Sequence, residues 1–106
     1  MNLYRKGRIA ERKVMGWLKM RGHTNIRRSA GSRGPADIYS VSPSGTKTYT
    51  QVKSSSAFLD SSGRKNLRHL AKERKGFAQY VHYENGKVDK AVPLGNWNRK
   101  RTKAIR

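Results

Sequence analysis

The chain contains no cysteine, which excludes disulfides and any zinc centre built on thiolates. Its three histidines, His23, His69 and His82, are scattered without metal-ligand spacing, so a histidine-based zinc site is not expected. No apolar run approaches the ~20 residues of a membrane-spanning helix, and no signal-peptide apolar region opens the chain. A soluble, intracellular protein is expected, with no membrane partner and no small-molecule substrate. Apolar residues make up only 34% of the sequence, a share that, with high net charge, also suits disordered chains. Scarcest of all is negative charge: six acidic residues stand against 25 Lys and Arg, for a net charge of +19.

That excess would repel itself unless an anion neutralised it. Nucleic acid is the commonest such partner, because each phosphate contact releases a counterion. A membrane surface would call for an amphipathic helix built for it. A ribosomal or packaging protein would carry the same charge, so charge names a class of partner and not an activity.

What is present is clustered and periodic. The 106 residues suffice for one domain with one small core. Residues 3 to 21 read as a helix, with Ala10, Val14, Trp17, Leu18 and the stem of Arg21 on one face and Gly22 as its stop. Residues 24 to 30 suggest a short strand, followed by a loop at Ala30-Gly31-Ser32-Arg33-Gly34-Pro35. Residues 36 to 42 and 47 to 55 alternate as the arms of a hairpin about Pro43-Ser44-Gly45. A linker is expected at 57 to 63, then a second helix at 64 to 75 with Leu67, Leu70 and Ala71 as its stripe and Gly76 as its stop. Residues 77 to 83 and 87 to 94 read as strands joined by Asn85-Gly86, the second ending near Pro93. The order predicts an α/β fold, a mixed β-sheet flanked by helices, over residues 1–95, with a basic tail at 96–106.

The few acids fall at telling places. Glu11 lies beside the apolar face of the first helix, and Asp37 opens the first hairpin strand. Gln51 and Lys53, two apart on the second hairpin strand, share a face. Four separated residues thus have a route to one pocket. Phosphodiester hydrolysis needs such a set: oxygen ligands for a divalent cation, and an ammonium to stabilise developing charge. Asp37 is the expected central ligand, with Glu11, the Gln51 amide oxygen and the Val52 carbonyl as further donors, and Lys53 beside the attacking water. Taken singly, each has a plainer role, as a helix-surface acid, a turn residue or solvated strand positions.

Tyr4-Arg5-Lys6-Gly7 followed by Ala10-Glu11-Arg12 resembles the opening of the archaeal Holliday junction resolvases, members of the PD-(D/E)XK nuclease superfamily. Arg28-Ser29-Ala30-Gly31-Ser32 and Gly34-Pro35-Ala36-Asp37 are similar to their next block, and Gln51-Val52-Lys53 sits where that family has Glu-x-Lys. The likeness covers residues 4 to about 55; beyond that only the order of elements continues it.

It implies a restriction-endonuclease-like core, an Mg²⁺ cofactor with Mn²⁺ as the alternative, a homodimer, and paired nicks in four-way DNA junctions. The metal site it implies is Glu11, Asp37, Gln51 and Lys53, with Arg12, Arg28 and Ser32 on phosphates. Arg5, Lys6, Arg8, Arg27, Arg33, Arg64, Lys65 and Arg68 complete the expected DNA-contacting set. Gln51 departs from the pattern by replacing a carboxylate, which removes one negative charge; nucleases of the wider superfamily resemble this Gln-x-Lys form. The alternatives are a related nuclease on other branched or duplex DNA, a non-catalytic nucleic-acid-binding module, and a ribosome-like structural protein. The second helix and the strand at 77 to 83 are the expected dimer surface.

Overall fold

A computed structural model describes residues 3–29, 34–54 and 59–98, with backbone alone at residues 3–6. Its elements run α1 (Leu3–Met20), β1 (Thr24–Arg28), β2 (Ile38–Val41), β3 (Lys47–Ser54), α2 (Ser61–Glu73), β4 (Phe77–Glu84) and β5 (Lys87–Asn96). The strands form one sheet in the order β1-β2-β3-β4-β5. All neighbours are antiparallel except β3 and β4, which run parallel with α2 as the connection between them.

Each helix covers one face of the sheet. On one side Ala10, Val14 and Leu18 of α1 meet Ile38, Val52 and Val81. On the other, Leu67 and Ala71 of α2 meet Ala36, Tyr49, Ala78 and Tyr80. Strand alternation sorts the residues: in β3, Val52 turns to α1, while Tyr49, Gln51 and Lys53 take the α2 face. The mixed sheet with flanking helices is the architecture read from the sequence.

Helix α1 stops where expected. The Gly22 N–H donates to Lys19 O and the His23 N–H to Leu18 O, a paired C-terminal cap with Gly22 at φ 90°. Helix α2 ends in the same pattern, but Lys75, at φ 56°, takes the left-handed position and Gly76 follows it. Gly76 serves close approach instead: a Cβ there would lie 2.5 Å from the Lys47 carbonyl oxygen.

Three boundaries differ from the sequence reading. Helix α2 begins at Ser61, inside the expected linker, because the Asp60 carboxylate accepts from the Gly63 N–H at 2.7 Å and caps the first turn. Strand β5 continues through Pro93 to Asn96; it is an edge strand, where a missing N–H costs no ladder bond. Trp97 then donates its N–H to Gly76 O and packs on the α2-side core, so the chain stays in the folded body to that point. The expected dimer strand, β4, lies between β3 and β5 with both edges paired, which closes it to strand pairing with a second copy. Among the described residues, no helix is long and apolar enough to cross a membrane.

Candidate active site

Asp37 stands one residue before β2, where the hairpin parts from β3. Its N–H donates to Thr50 O at 2.8 Å and its carbonyl accepts from the Ser29 N–H at 2.7 Å. Its Oδ2 accepts from the Val52 N–H at 2.8 Å, so the side chain replaces the next rung of the ladder. Two backbone bonds and one to the carboxylate fix this residue beside the end of β3, and only 9% of it is exposed. Burial raises its pKa; the Val52 amide and then the Lys53 ammonium pull it back down.

Glu11 reaches the same place from α1. It is one position past the buried Ala10, which turns its side chain to the rim of the α1-side core. Burial raises its pKa first and the negative charge of Asp37 raises it further, while Arg28 and Arg8 oppose both. Arg28 Nε lies 3.9 Å from Glu11 Oε1, an ion pair across from α1 to β1. Glu11 therefore feels the charge of Asp37, and Asp37 that of Lys53.

Gln51 is half-buried on the face that holds Lys53. Val52 is buried under α1, and its backbone N–H is the group that holds Asp37. Among the described residues there is no group of three or more His, Asp or Glu suited to a metal ion. The reason is visible in the sequence: Glu11 and Asp37 supply two carboxylates, and the third expected position is the amide of Gln51.

The basic residues divide. Arg8 and Arg12 are exposed on α1, Arg27 and Arg28 on β1, and Lys65 on α2; Arg68 is half-buried. Arg64 is committed inward, with Nε donating to Leu59 O at 3.0 Å and its guanidinium 5.3 Å from the centre of the Tyr80 ring. The side chains of Arg5 and Lys6, and all of Ser32 and Arg33, lie outside the described residues. Sequence reading missed Tyr39 and Tyr49, whose pairing depends on hairpin register, and Lys47 beside them.

No family model and no curated protein sequence matches the chain. Among solved structures, Hjc from Archaeoglobus fulgidus, a Holliday junction resolvase from an archaeal hyperthermophile, aligns with a TM-score of 0.68. The chain has the fold of that resolvase. The alignment covers 84% of this chain and 73% of Hjc at 21% sequence identity, so the likeness is one of architecture. It bears out the restriction-endonuclease-like core, a mixed five-stranded sheet between two helices.

Proposed function

We propose that this protein is a divalent-metal-dependent endodeoxyribonuclease that nicks four-way DNA junctions in pairs. The observation that carries the reading is Asp37. A buried carboxylate, bonded to the Val52 N–H, acts by its charge on the helix-borne Glu11 and feels the charge of the strand-borne Lys53.

The donors suit Mg²⁺, which favours one or two carboxylates and other oxygens. Both carboxyls resist ionisation where they stand, and the charge of Asp37 raises the cost of ionising Glu11, which a cation shared by the two would reverse. Gln51 and the Val52 carbonyl offer uncharged oxygens beside them. Bound there, a divalent cation supplies charge neutralisation on the phosphate and acidifies water for attack.

The chain's own residues do the rest. The Val52 amide holds Asp37 in one orientation, and Arg28 holds Glu11 toward it. The Lys53 ammonium, on the open face, stabilises the charge that grows on the phosphate as the bond breaks. Arg8 and Arg12, exposed along the same helix as Glu11, neutralise flanking phosphates and set the strand in place without reading bases.

A four-way junction is close to two-fold symmetric, and a C2 homodimer presents two such sites related by the same operation. Hjc is a Holliday junction resolvase and shares this fold, which supports the choice of substrate. Gln51 favours one rival, a nucleic-acid-binding module without hydrolysis, because a third carboxylate is missing. Cleavage of a synthetic four-way junction with and without Mg²⁺ separates the two, with Asp37→Ala alongside and flap, nicked and linear DNA as competing substrates. Metal-dependent paired nicks by the wild type and none by the variant are expected. Binding without cleavage under any metal leaves the module.

A further inference from the structure

Beside α2, on the Gln51 and Lys53 face of the sheet, the β1-β2 hairpin leaves a cleft of about 590 Å³. That volume is in the range of sites that enclose small organic groups. Its floor is aromatic. Tyr39 and Tyr49 are direct cross-strand partners, their rings edge to face with centres 5.7 Å apart. Its walls are cationic: Arg27, Lys47 and Arg74 line it, and no acidic residue does.

Tyr49 is buried, with its hydroxyl bonded to Arg74 at the end of α2. Tyr39 is half-buried, and the exposed Arg27 guanidinium lies 5.7 Å from its ring centre. One face of that ring thus already receives a flat, delocalised group.

We infer that the cleft receives an unpaired nucleotide of the DNA strand, its base over Tyr39 and its phosphate among Arg27, Lys47 and Arg74. Duplex DNA meets a protein chiefly through phosphates, for which the three cations would suffice with no aromatic floor. A ring set in a basic groove is what unstacked bases use, whatever their sequence. Entry of the base displaces Arg27 from the ring and frees its guanidinium for the phosphate. Tyr49 precedes Lys53 by four residues on the same strand face, roughly 13 Å along β3. The cleft is therefore a subsite a few nucleotides from the reacting phosphate, selecting strands whose bases can leave the stack.

The location relative to the cut rests on the nuclease reading; affinity for a nucleotide does not. The test is fluorescence anisotropy of the full chain, without divalent metal, on a labelled single strand of about six nucleotides. A blunt duplex and the same single strand with its bases removed complete the set. Tyr39→Ala is expected to weaken single-strand binding by about 5- to 150-fold, the range of one base–aromatic stack. Tyr39→Phe should restore it, and duplex binding should stay within about twofold, since phosphate contacts are untouched. Equal losses on both DNAs, or no loss on the single strand, overturn the inference. Should Tyr39→Ala fail to fold, the wild type decides: base-free and ordinary strands binding equally well overturn it, and a preference for bases supports it. Junction cleavage with no base preference removes the subsite alone, whereas base-dependent binding by a protein that cuts nothing removes the nuclease alone.

Discussion

Asp37 is held by a bond that a conservative substitution can keep and a truncation cannot. Its Oδ2 accepts the Val52 N–H at 2.8 Å, in a residue 9% exposed. Asp37→Asn leaves a carbonyl oxygen of the same size at that place. Asp37→Ala leaves a buried N–H with nothing to meet it, at a cost of about 1–3 kcal/mol. In a domain of this size each kcal/mol moves the melting temperature by about 4–8 °C, so the alanine variant should melt roughly 4–24 °C below the asparagine variant. Asn also deletes a buried negative charge that raises the pKa of the half-buried Glu11, which places its melting temperature at or above that of the wild type. Calorimetric melts at neutral pH without divalent metal measure all three, and both variants should have lost cleavage. Coincident melts for Asn and Ala would refute the reasoning, since the Val52 amide would then find its partner elsewhere.

Three further outcomes follow from the same geometry. Gln51→Glu should keep cleavage and lower the Mg²⁺ concentration needed for half-maximal rate; an unchanged titration removes Gln51 from the metal site. The raised pKa values of Glu11 and Asp37 mean that the folded protein binds protons more readily than the unfolded chain. The wild type should therefore gain stability as pH falls from neutral toward the ordinary carboxylate range, and lose that gain as pH rises through the raised values. Asp37→Asn lacks the part of this response that comes from Asp37, so its advantage over the wild type should shrink as pH falls; urea midpoints across one pH series, with a constant gap, would sink the idea. Gly76→Ala would bring a methyl group 2.5 Å from the Lys47 carbonyl oxygen and 2.7 Å from the Tyr49 ring. A loss of about 1–3 kcal/mol in chemical denaturation is expected.

Where a physical signal is periodic, the sequence displays it. Ala10, Val14 and Leu18 recur at helical spacing and are all buried, and the alternation around Pro43-Ser44-Gly45 becomes the β2-β3 hairpin. Single-residue effects were harder to see. Ser61, Ser62 and Gly63 have the composition of a linker, and only the Asp60 cap makes them a first helical turn. Pro93 reads as a strand end until β5 is known to be an edge. Glu11, Asp37 and Lys53 were legible as a candidate group because their order along the chain resembles a known pattern; in the fold the charge of Asp37 acts on Glu11 and that of Lys53 on Asp37. The Tyr39–Tyr49 floor was not, because one step of register would send either ring to the other face.

Register also explains the two arginines at the end of β1. Arg27 pairs with Tyr39 and Arg28 with Ile38, so neighbours in sequence serve opposite sides of one wall: the first reaches the aromatic hollow, the second the helix-borne acid. The irregularity between Thr24 and Arg27, with Asn25 at φ 51°, sets that phase. Three steps of β1, from Thr24 to Arg27, span two steps of β2, from Val41 to Tyr39, so the extra residue is absorbed before the arginines and each keeps its own side of the partition.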